Sequence, residues 1–140
     1  MIATHKRDIN SILCVVDFSE GTREALMWAV FFSTEYGARL TILYSYRLTR
    51  GLEEDVFEWK KRREQDIGDK FLAYETELLL GTSLNYEFKM EVGFVVDRIE
   101  EFTRRNRVSF IIIDKPICVS NRQAFDDLLE QMTVPVMIAP

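Results

Sequence analysis

Short runs of apolar residues alternate along the chain with longer stretches in which apolar positions recur three or four apart. Residues 11–16 (SILCVV) are nearly all apolar and stop at Asp17, the pattern of a strand buried on both faces of a parallel sheet. A helix is predicted directly after it, with Ser19 as N-cap, Leu26, Ala29, Val30 and Ser33 on one face, and Gly37 placed to end it in a left-handed conformation. Residues 40–44 read as a second strand. Residues 53–80 read as a long helix whose buried stripe is Ile67, Phe71, Tyr74 and Leu78; continued backwards, that stripe meets Lys60, Arg63 and Glu64, so the first half must project past the core or pack through its stems.

Residues 84–92 alternate without a break, with Leu84, Tyr86, Phe88, Met90 and Val92 on one side and Asn85, Glu87, Lys89 and Glu91 on the other, which predicts a half-exposed strand at a sheet edge. Gly93 precedes a third helix carrying Val96, Ile99 and Phe102. Residues 110–113 are again a buried strand. Ser120, with Gln123 three residues on, resembles a capping box for a fourth helix with Ala124, Leu128 and Met132 on its apolar face, and Val136–Ala139 closes the chain as a fifth strand. The sum is a β-α-β-α-β-α-β-α-β order. The fold class it predicts is α/β, a doubly wound parallel five-stranded sheet in one domain over residues 1–140, because right-handed crossovers place helices on both faces. Ligands of such sheets bind outside the carboxyl ends of the strands where the strand order reverses. That crevice would be lined by Asp17, by Ser45 and by the turn that begins at Asp114.

Composition narrows the function. A chain of 140 residues, 47% hydrophobic and 29% charged, fits one globular domain, and a net charge of −5 gives no reason to expect nucleic acid, whose binding is driven by clustered bases. Lys60, Lys61, Arg62 and Arg63 form a basic run, but Glu53, Glu54, Asp55, Glu58, Glu64 and Asp66 outnumber it, so the segment reads as a solvated helix face with partners one turn away. No apolar run approaches the roughly 20 residues that span a bilayer, and residues 1–10 are mostly polar with no apolar leader. The expectation is a soluble cytoplasmic protein with no membrane partner. Cys14 and Cys118 lie beside apolar segments and read as reduced, partly buried thiols. His5 is the only histidine, which argues against a His base or a multi-His metal site. Trp28 and Trp59 read as core or interface aromatics.

Two strand ends carry candidate chemistry. Asp17 could face the crevice and accept from a sugar hydroxyl, or cap the adjoining helix. Asp114 and Lys115 are adjacent, so their side chains leave in opposite directions and a plain turn is the simpler role. A phospho-receiver reading of the Lys115-Pro116 step lacks the further strand-end acid such a site needs, since only Glu91 is offered before Gly93. Val136–Ala139 is apolar on both faces, and as an edge strand it would need a cover; a second copy of the chain supplies one.

The segment SILCVVDFSEGTREALMWAVFFSTEYGARLTILYSY resembles the opening of universal stress proteins, and MEVG, VSFIIID and VPVMIAP are similar to the family's later strands in kind and order. The resemblance covers essentially the whole chain, with VDFSE its most specific part. It implies an adenine nucleotide alpha hydrolase-like fold of strand order 3-2-1-4-5 and dimerisation through the last strand. In members that bind ATP it implies contacts to adenosine that map onto Val15, Asp17 and Ser45, and a phosphate-binding loop of the form G-x2-G-x9-G-[S/T] after the fourth strand. This chain departs from that loop. It has no glycine after Gly93, and Asp114 stands where the first loop glycine is expected, so an acid replaces backbone N–H donors. The expectation is a homodimeric stress-response binding or regulatory module without catalysis or cofactor, its protein or small-molecule partner unnamed. The rival is an ATP- or AMP-binding, weakly hydrolytic protein in which Val15, Asp17 and Ser45 hold adenosine and Lys115 replaces the lost loop.

Overall fold

The computed structural model describes residues 8–48 and 55–140. His5, Glu53 and Glu54, which entered the sequence reading, lie outside the described residues. Five strands, β1 (Ser11–Val16), β2 (Arg39–Tyr46), β3 (Tyr86–Val92), β4 (Phe110–Asp114) and β5 (Val136–Ala139), form one parallel sheet of order β3-β2-β1-β4-β5. The order reverses between β1 and β4, so their carboxyl ends bound the switch-point crevice. Every partnered position of β1 is shared between β2 and β4 or belongs to one of them; Val15, for instance, lies opposite Leu43 on one side and Ile113 on the other.

Helices cover both faces. α1 (Thr22–Tyr36) and α2 (Val56–Tyr74) pack on one, with Ala25, Leu26, Ala29 and Phe71 over Ile12, Cys14, Leu40 and Ile42. α3 (Val95–Arg105), α4 (Lys115–Ser120) and α5 (Arg122–Gln131) pack on the other, with Ile99, Ile117, Phe125 and Leu128 over Leu13, Val15, Leu43 and Ile113. The alternation of β1 thus feeds two cores. α2 runs into a π-helical turn over Glu75–Leu79, which ends the long helix near the predicted boundary. Gly37 closes α1 at φ 63°, as its position predicts. β3 is half-buried along most of its length and lies at the edge.

The first half of α2 docks neither by projecting past the core nor by aliphatic stems alone. Arg63 donates to the Tyr44 hydroxyl at 2.9 Å, the Tyr46 hydroxyl donates to Glu64 at 2.5 Å, and Trp59 lies against the Tyr46 ring. Burial first, then the bond to Glu64, pushes the Tyr46 phenol well above its usual range.

Two helix starts differ from the pattern. Ser19 does not cap α1: the cap position is Gly21, and the Ser19 backbone N–H instead donates to Asp17 Oδ1 at 2.9 Å. The last helix begins not at Ser120 but at Lys115, directly after β4, and breaks at Asn121 into α4 and α5, so Ser120 and Gln123 form no capping box. Because of that break Ala124 faces solvent and Phe125, 3% exposed, takes its place in the core. Among the described residues no helix is long and apolar enough to cross a membrane. Cys14 is buried, Cys118 half-buried, and both are free thiols.

Candidate functional site

The carboxyl ends of β1 and β4 are joined by one side chain. Asp114 is the last residue of β4 and the N-cap of α4, and it is 0% exposed. Its Oδ1 accepts from the Ile117 backbone N–H at 3.1 Å, while Oδ2 accepts from the Asp17 backbone N–H at 3.2 Å and from the Thr22 hydroxyl at 3.4 Å. One oxygen therefore starts α4, and the other ties the strand ends together and holds the first residue of α1, itself fully buried. The plain turn expected at Asp114 is replaced by this strand-to-helix junction.

Burial raises the Asp114 carboxyl to about 7, with the neighbouring Asp17 adding to the rise and the two backbone donors opposing it. Cys14 and Cys118, in the cores on opposite faces of the sheet, both lie near Asp114. Burial and then Asp114 push the Cys118 thiol up to about 11, and the same two causes push Cys14 higher still.

Next to the carboxylate the loops also meet by shape. A Cβ placed on Gly21 would lie 2.8 Å from Pro116 Cδ and 3.4 Å from Asp114 Cβ, so the backbone before α1 and the proline ring in the first turn of α4 are already in contact. Two long-range contacts, Asp114 to Asp17 and Pro116 to Gly21, tie the two loops together across the switch point.

The predicted site residues fall in different places around this closure. Asp17 is exposed, and its Oδ1 accepts from Ser19 in a local Asx-turn, which combines both roles weighed for it only in part: it organises the turn before α1 but is not the cap. Val15 is 0% exposed and paired on both sides, so its side chain belongs to the core and not to the crevice wall. Ser45 is half-buried and donates to the Gly93 carbonyl at 2.6 Å, tying β2 to the loop after β3. Gly93 itself has φ 139°, a conformation that favours glycine. Lys115, the first residue of α4, is exposed. The structure brings Asp17 and Asp114 together; it does not bring Val15, Ser45 and Lys115 onto one open surface.

Sequence reasoning missed Phe18, Gly21 and Thr22. Phe18 has φ 61°, unusual for a bulky residue, and its ring packs against Tyr44, Phe88 and Tyr74 at centroid distances of 5.5, 5.8 and 6.2 Å. Its ring thus packs against the core formed by β2, β3 and α2. The signal available in the sequence was Asp-Lys-Pro itself, an N-cap acid followed by proline in the first turn. Among the described residues no group of His, Cys, Asp and Glu is arranged to hold a metal ion.

Comparison with known proteins places this geometry. The sequence model described as Universal stress protein family matches residues 9–115, ending one residue beyond Asp114. No curated protein sequence matches the chain. Among solved structures, the chain is similar to a protein from the universal stress protein family of Burkholderia pseudomallei at 20% identity and TM-score 0.70, covering 96% of this chain and 98% of that one. It is also similar to a universal stress protein in complex with cAMP, at 13% identity and TM-score 0.70 over 94% of this chain and 97% of the other. A third, from Archaeoglobus fulgidus in complex with dAMP, has 16% identity and TM-score 0.59 over 94% and 98%.

Proposed function

The chain belongs to the universal stress protein family, and on that premise we propose that it is a cytoplasmic, homodimeric binding or regulatory module of the stress response that does not bind ATP in the family's usual manner and catalyses nothing itself. The observation that carries this reading is the closed switch point. Asp114 holds the Asp17 and Ile117 amides, two donors that a phosphate would otherwise compete for, and Pro116 rests on Gly21. A nucleotide entering between β1 and β4 would have to break both bonds and would meet a buried carboxyl, where an anion is repelled once that carboxyl ionises. The residues present do not fit a triphosphate.

The dimer reading rests on β5. It is one edge of the sheet, paired with β4 alone among the described residues, and Ile138 on it is 48% exposed. On α1 an aromatic group formed by Trp28, Phe31 and Phe32 continues to Phe110 of β4, and Phe31 is half-exposed. An unpaired strand with apolar neighbours is the surface that a second copy would cover. Sedimentation of the wild type and of Ile138→Lys tests it: a dimer that the substitution converts to monomer supports the reading, and a monomeric wild type sinks it.

A second reading keeps nucleotide binding. The structures of relatives with cAMP and dAMP favour it, as do the exposed Asp17 carboxylate and the exposed Lys115. In that reading AMP, or weakly ATP, would sit with Asp17 on the sugar, Lys115 on phosphate and the Val15 and Ser45 backbones beside the base. Calorimetry with ATP, ADP, AMP and cAMP separates the two. The first predicts no saturable heat at micromolar concentrations. The second predicts AMP binding that both Asp17→Ala and Lys115→Ala weaken.

A further inference from the structure

We draw no further inference here: the strongest candidate, the polar hollow between the end of α1 and the turn before β3, lined by Asn10, Thr34, Ser83 and Asn85 beside the Ser33 hydroxyl, which is buried with no hydrogen-bond partner among the described residues, carries none, because nothing in the structure shows what occupies it and its exposed hydroxyl and amide groups single out no class of ligand.

Discussion

Asp114→Asn removes a titrating group from the centre of the closed switch point while keeping an oxygen that can accept from a backbone N–H. In the wild type the carboxyl is raised from 3.8 to about 7, chiefly by burial and then by Asp17. A raised carboxyl pKa means that the folded chain holds a proton the unfolded chain has released. Its contribution to stability is therefore fully present below about pH 4 and is lost progressively as pH rises to about 7. At about 1.4 kcal/mol per pH unit, the part of that window between pH 5 and pH 7 sets a ceiling of roughly 3 kcal/mol on the loss. Urea denaturation of both proteins at pH 5, 6, 7 and 8 gives the difference in unfolding free energy directly. Wild type should lose ground to Asp114→Asn from pH 5 to pH 8 by about 1 to 3 kcal/mol, with no further change above pH 8. The wild type also has the ordinary titrations of its surface acids, but these are common to both proteins and cancel in the difference. A difference that is flat over this range, or one in which wild type gains with rising pH, would refute the placement of Asp114 as a buried carboxyl beside Asp17.

The other expectations concern the same closure and its surroundings. Gly21→Ala puts a methyl group 2.8 Å from Pro116 Cδ at a residue whose φ of −83° any side chain tolerates, so the cost is steric and should be about 1 to 3 kcal/mol by denaturation. Adding Pro116→Ala should recover at least about 0.5 kcal/mol of it, and strictly additive losses would show that the ring and the loop do not touch. Because Cys14 is fully buried and Cys118 half-buried, both with thiols raised by burial, native protein at pH 7.5 should react slowly with a thiol reagent at Cys118 and not at Cys14 until unfolded. Rapid labelling of Cys14 in native protein, read by mass spectrometry, would mean that β1 is not in the middle of the sheet.

The strands were legible because each property that marks them is local. SILCVV is nearly all apolar and VMIA wholly so, each is followed by a polar or proline residue, and β1 and β5 have the bounds the sequence predicts. The alternation of residues 84–92 likewise located an edge strand, although its paired part begins at Tyr86. Helix starts were less legible. Ser19 and Ser120 are good cap residues by type, but a cap acts only where the preceding strand releases the chain, and β4 releases it at Asp114 rather than six residues later. The closure itself could not be read from any window. Asp114 and Asp17 are 97 positions apart, and the fit of Pro116 on Gly21 depends on β1 and β4 lying side by side. That no glycine follows Gly93 was visible in the sequence, whereas the junction that Asp114 forms was not. The Asp114-Lys115-Pro116 step is a junction that binds the two strand ends to each other.

Amide NMR offers the most direct test of that claim. The Asp17 and Ile117 N–H groups both donate to Asp114, so nucleotide entering the switch point must displace them. Titrating isotope-labelled protein with ATP, with and without magnesium, at pH 7 should leave both resonances where they are up to millimolar nucleotide. Saturable movement of the two together, at micromolar ATP, would contradict a closed crevice.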